Sequence, residues 1–143
     1  MTIQQVSVFA ENRSGGILDV IRILGDNNID IRALSVADTQ GFGILRLIVD
    51  DVEKTRQVLS ENGTIFSITE VVGVKVPDSP GGLAKVLSLM AEHTINVEYL
   101  YAFVSVSGSS AYVVLRVQDN DQAIRILTEG GIELVSEADI ASL

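Results

Sequence analysis

The chain has no cysteine, one histidine, two prolines and no long apolar run. It can form neither disulfides nor thiolate metal sites, and no segment can cross a bilayer as a helix. A metal site would have to be built almost entirely from carboxylates. Basic residues are also scarce, ten against nineteen acidic ones, and both halves share the deficit: six against ten over positions 1–70, four against nine over 71–143. That charge makes nucleic acid and anionic membrane surfaces poor partners. There is no Gly-x-Ser-x-Gly elbow, no P-loop and no Ser/His/Asp set, so the chain is expected not to be an enzyme and to carry no cofactor and no metal. The segment Met1–Phe9 lacks the charged and long apolar regions of a secretory signal, and a cytoplasmic location is the expectation.

What is present is a repeat. Displaced by 66 positions, Ser14–Ile21 falls on Pro80–Leu87 and Asn28–Ile31 on Thr94–Val97; displaced by 68, Gln57–Gly63 falls on Arg125–Gly131. The two added residues lie in a Ser/Gly stretch around Ser105–Ser110, ordinary loop chemistry. Two domains, 1–70 and 71–143, are expected, with no linker between them, since 65–76 contains no proline and one glycine.

Within each copy the apolar period changes from two to about 3.6 and back. Val6, Val8 and Ala10 alternate as a strand. Ile17, Val20, Ile21 and Leu24 recur at helical spacing, as do Leu83, Val86, Leu87 and Met90, each set following a glycine pair. Ile29, Ile31, Ala33 and Ser35 alternate again, and a turn at Gln40-Gly41 leads to Leu45, Leu47 and Val49. Val52, Thr55, Val58 and Leu59 then predict a second helix ending at Asn62-Gly63, and Phe66 and Ile68 a fourth strand. The order βαββαβ, repeated twice, is an α+β, ferredoxin-like pattern: antiparallel sheets with the helices on one face.

Strict alternation puts Ile29, Ile31, Leu45 and Leu47 on the helix side. It leaves Leu34, Val36, Ile44 and Ile48, and in the second copy Leu100, Ala102, Val104, Tyr112 and Val114, on the other, interrupted by Arg46 and Arg116. An apolar sheet face of that extent predicts a homodimer or a partner enzyme packed against it. Tyr99, Tyr101 and Phe103 could suggest base stacking, but acidic charge and an expected helix-side orientation assign them to the core. His93 falls at a helix end, beside terminal carbonyls, and Asp50, Asp51 and Glu53 read as a charged first helical turn.

The loops before the first helix of each copy read Glu11-Asn12-Arg13-Ser14-Gly15-Gly16-Ile17-Leu18 and Asp78-Ser79-Pro80-Gly81-Gly82-Leu83-Ala84. Two readings are open. Paired glycines and free first-turn amides would cradle a carboxylate at the positive end of the helix dipole. Alternatively Ser14, and Asp78 or Ser79, cap the helices while the glycines allow tight packing.

These loops, the segments Asn28-Ile29-Asp30-Ile31 and Thr94-Ile95-Asn96-Val97, and the element order resemble the ACT domain, including the regulatory domain of phosphoglycerate dehydrogenase and, more loosely, the small subunit of acetolactate synthase. The resemblance covers nearly the whole chain twice and implies a small-molecule-binding regulatory protein that senses an amino acid between such domains. It also leaves open a ligand-free interaction module or a regulatory subunit of an amino-acid biosynthetic enzyme. Carried over by position, it implies ligand contacts at Asn12 and Asp30, with Ile31, in the first copy, and at Asp78 and Asn96, with Val97, in the second. The ligand carboxylate would lie on amides of Gly15, Gly16, Ile17 and Leu18 or of Gly81, Gly82, Leu83 and Ala84. Its amino group would go to Asp30 or Asp78. In place of the family's usual glycine, Asn28 and Thr94 precede the second strand of each copy.

Overall fold

The alternating segments become strands and the 3.6-period segments helices in the computed structural model, which describes residues 1–39, 41–104, 108 and 110–143. In chain order these are β1 (Ile3–Glu11), α1 (Gly16–Asp26), β2 (Ile31–Thr39), β3 (Phe42–Val49), α2 (Val52–Glu61), β4 (Phe66–Pro77), α3 (Gly82–Glu92), β5 (Tyr99–Ala102), β6 (Ser110–Arg116), α4 (Asn120–Glu129) and a short α5 (Glu137–Ala141). Gln40 of the expected turn, and Ser105, Val106, Ser107 and Ser109 of the expected loop, lie outside the described residues.

The chain divides into two units: Gln4–Thr69, and Glu70–Leu143 together with Met1–Ile3. In the first, β3 lies between β2 and β1, all antiparallel, and the chain entering β4 returns beside β1 through the bond from the Phe9 amide to the Ile65 carbonyl (3.0 Å). Val6, Val8, Leu45 and Leu47 form the core with Val20, Leu24, Val58 and Leu59 of the two helices. In the second unit, β6 lies between β5 and β4. The fourth-strand position is a single bridge, Val74 to Leu134, flanked by bonds from the Lys75 amide to Glu133 (2.9 Å) and from the Val135 amide to Gly73 (2.8 Å). Val72, Val74, Val113 and Leu115 meet Val86, Met90, Ile126 and Leu127 in its core.

Helix ends follow one scheme. After α1 the Asn28 amide bonds to Gly25 and the Ile29 amide to Leu24; after α3 the Thr94 amide bonds to Ala91 and the Ile95 amide to Met90. This is the paired return of a Schellman motif, with a left-handed residue just beyond the cap. The same pattern closes α2 at Gly63 and α4 at Gly131. Asn28 (φ 58°) and Thr94 (φ 56°) therefore hold a conformation that favours glycine. Asp51 and Asp119 cap α2 and α4 by accepting from the amides of Lys54 (2.9 Å) and Gln122 (3.1 Å), and the His93 ring donates to Leu89 (2.9 Å).

The expected sheet faces need correction. Ile31 pairs with Val49 but Ala33 pairs with Ile48, so the register slips by one residue at Arg32. A slip of one transfers every later side chain to the opposite face. Leu34 and Val36 thus stand opposite Leu47 and Leu45, on the helix side, and only Ile44 and Ile48 remain on the other. In the second unit Leu100 and Ala102 pair with Leu115 and Val113 on the helix side, while Tyr99 and Tyr101 share the opposite face with Arg116 and Val114. Neither the tyrosines nor Phe103, whose amide bonds to Tyr112, are therefore helix-side residues, and Val104 falls on the helix side rather than the other.

Those faces are also less bare than alternation implies. In the first unit the face carries buried Gln5 and Ser7, joined by a 3.1 Å bond, together with Arg46. In the second, the segment that leads into α5 lies on the sheet: a Cβ at Gly73 would stand 2.9 Å from the Val135 side chain, and Lys75, 5.8 Å over the Tyr112 ring, pairs with Asp139 (3.3 Å). No sequence period announced this five-residue helix, which a capping box at Ser136 and Asp139 starts.

Candidate functional site at the start of the first helix

Both glycine pairs have a specific backbone task. Gly15 (φ 81°) and Gly81 (φ 86°) occupy the N-cap positions of α1 and α3 in the left-handed region, and no side chain caps either helix. A Cβ at Gly16 would stand 2.2 Å from the Glu11 carbonyl oxygen, and one at Gly82 2.4 Å from that of Pro77. The first glycine therefore turns the chain and the second lets the helix press against the end of its own strand. Ser14, Asp78 and Ser79 do not cap. The Gly16 amide is taken by Arg13 and the Gly82 amide by Ser79 (both 3.1 Å), which leaves the amides of Ile17 and Leu18, and of Leu83 and Ala84, without acceptors among the described residues. Such amides, at the positive end of a helix dipole, suit a carboxylate.

In the first unit this helix start borders a small cavity of about 100 Å³, walled by Ala10, Ile17, Val36 and Leu45. At its mouth the Asn12 side-chain amide donates to Asp38 Oδ1 (2.9 Å). Arg13 braces the loop: its guanidinium lies 2.8 Å from both Asp19 and Glu11 and donates to the Ser14 carbonyl (3.1 Å). The bond to Asp19, then that to Glu11, holds the Arg13 proton above its usual affinity. Flanked by two acids, Arg13 is a brace rather than a spare cation.

The remaining expected contacts lie elsewhere in each unit. Asp30 immediately precedes β2 whereas Asp38 is near its end, a separation of roughly 26 Å along an extended strand. Asp30 is engaged there: Arg32 is paired to its carboxylate, and its amide donates to Asp50 (2.9 Å). Ile31 and Val97 pack toward the cores. Asn96 lines a wide polar hollow of about 730 Å³ with Thr2, Glu70, Glu98 and Asn120, whose side-chain amide donates to the Glu70 carbonyl (3.0 Å). Asp78 is exposed on the loop before α3. Within a unit, then, the loop residues and the strand-opening residues are not brought together. Asp38, Ala10 and Val36 are added to the site by the structure; Asp38 is 26 residues from Asn12 and no local motif joins them.

A family model for the ACT domain pair matches residues 1–143. The chain is an ACT domain pair. Among solved structures, protein BT0572 from Bacteroides thetaiotaomicron superposes with a TM-score of 0.91 at 37% identity, over 100% of this chain and 98% of that one. The ligand-free regulatory subunit of aspartate kinase from Thermus thermophilus shares the fold at a TM-score of 0.61 and 16% identity, covering 89% of this chain and 91% of its own. A structure of aspartokinase alpha and beta subunits shares it at 0.55 and 20%, covering 89% and 92%. No curated protein matches the chain. ACT pairs are typically amino-acid-sensing regulatory modules and generally non-catalytic. Among the described residues of this ACT pair, no helix is long and apolar enough to cross a membrane.

Proposed function

We propose that this ACT pair is an amino-acid-sensing regulatory protein of the cytoplasm, acting on a metabolic enzyme. What carries the reading is the coincidence, at one helix start, of open amides, an apolar cavity and the Asn12–Asp38 pair at its mouth. The effector's carboxylate rests on the amides of Ile17 and Leu18, and its side chain enters between Ala10, Ile17 and Val36. Its ammonium group meets Asp38, whose second oxygen has no partner among the described residues. A second copy of the chain brings its own strand opening, at Asp30 or Asn96, over the loop, so that occupancy biases how domains pack. Phe9 and Phe42, in edge contact at 6.0 Å, and Ile65, 71% exposed, supply an apolar patch through which a homodimer or a partner enzyme docks.

The test is a thermal-shift screen of the twenty amino acids against the purified chain. A selective rise in Tm supports the sensor; a flat profile rejects it in favour of a ligand-free interaction module.

A further inference from the structure

The two helix starts share a backbone but not their surroundings. The ladder fixes the correspondence: the Phe103 amide bonds to Tyr112 as Ala37 pairs with Ile44, so Val104 stands where Asp38 does and Ala111 where Gly43 does. On the first strands Val76 replaces Ala10 and Asp78 replaces Asn12. Each exchange acts against a ligand. Val76 is 3% exposed, and its Cγ1 stands 3.0 Å from where a Cβ on Gly82 would be, so it fills the space beneath α3 that Ala10 leaves open beneath α1. Ala111 adds a methyl group where Gly43 has none. Val104 offers no acceptor for an ammonium group. Asp78, unlike an asparagine, has no amide to donate and adds a negative charge to the loop that would receive a carboxylate.

The surviving cavity also limits what can enter. Its volume is about 100 Å³, and beside the polar lining residues Glu11, Asn12, Arg13 and Asp38 its walls are the aliphatic Ala10, Ile17, Val36 and Leu45, which suits a short apolar side chain better than a long or charged one.

We infer that each chain binds one amino acid with a short aliphatic side chain, in the first unit only, and that the second unit is a non-binding copy. This rests on the amino-acid-sensing reading above. Of the two loops to which the family resemblance carries contacts, it selects the first.

Isothermal titration and native mass spectrometry of the full chain, with L-valine as the probe and L-lysine and L-aspartate as mismatches, decide the matter. The expected result is one L-valine per chain, with at least tenfold weaker binding of both mismatches. Asp38→Val, which installs the second unit's residue at an exposed position, should weaken L-valine at least tenfold. Ala10→Val, with its fold checked by circular dichroism, should do the same by filling the cavity. Val104→Ala should leave binding unchanged. Two molecules per chain, equal loss from Val104→Ala and Asp38→Val, or preference for L-lysine or L-aspartate would overturn the inference while leaving the sensor reading intact. Absence of binding by any of the twenty amino acids would overturn both.

Discussion

The side-chain amide of Asn12 donates to Asp38 Oδ1 at 2.9 Å, tying the loop before α1 to the far end of β2. Both groups are exposed, so their contribution to global stability is small, while the proposed sensing role depends on them. Asn12→Ala should change unfolding free energy by no more than about 0.5 kcal/mol. It should also remove most of the amino-acid-dependent rise in Tm. Urea titration and thermal shift, run with and without the selected amino acid, separate the two effects.

Gly16 and Gly82 meet their own strand ends too closely to accept a side chain. Gly16→Ala and Gly82→Ala should each destabilise the protein by about 1–3 kcal/mol, the range for forced overpacking. Gly25→Ala, at a helical position with open space around the missing Cβ, should be neutral or stabilising. Chemical denaturation of the three variants checks this order, which would fail if Gly16→Ala were as benign as Gly25→Ala.

Thr94 stands in the left-handed position that Gly63 and Gly131 occupy at the ends of α2 and α4. A β-branched residue is strained there, and Thr94→Gly should raise stability by about 1 kcal/mol. Asn28→Gly should gain less, since asparagine tolerates this region. The comparison needs only the midpoints of two urea curves.

Lys75 and Asp139 fix α5 to the sheet and set a pH window for it. The Ser136 backbone bond, helped by the Ser136 hydroxyl and Lys75, holds Asp139 below the usual carboxylate value although desolvation opposes this. Its contribution is thus complete above the ordinary pKa of about 3.9 and is lost as pH falls through the lowered, folded value. For Lys75 desolvation is the largest single influence and disfavours the charge, but the bond to and charge of Asp139, with smaller help from Tyr112 and Glu133, outweigh it and raise the pKa. That contribution is present below the ordinary value of about 10.4 and is lost as pH rises through the folded one. Unfolding free energy measured by urea titration, followed by far-ultraviolet circular dichroism at a series of pH values, should lose these contributions only outside these limits. Asp139→Asn should flatten the acid limb at a cost of about 1 kcal/mol.

Much of this was legible in the chain because it is local. Glycine pairs, apolar periods and Asn62-Gly63 act over a few residues, and the repeat displays each twice. The strand faces were not legible past Arg32, because a one-residue slip leaves no trace in composition; Leu34 and Val36 look the same on either side of a sheet. Asp38 was missed because its meaning comes from Asn12, which only the folded β2 brings near. The cover formed by Val135 and α5 was missed because five residues are too short a run for a period to emerge.

The left-handed glycine at the head of α1 also gives the protein a built-in reporter. With no acceptor among the described residues, the amide protons of Ile17 and Leu18 should exchange with solvent quickly, while that of Asp19, bonded to Gly15 at 3.0 Å, should exchange slowly. A nuclear magnetic resonance spectrum of the chain would therefore register an arriving anion as the slowing and downfield movement of two adjacent signals, without any label or change of shape.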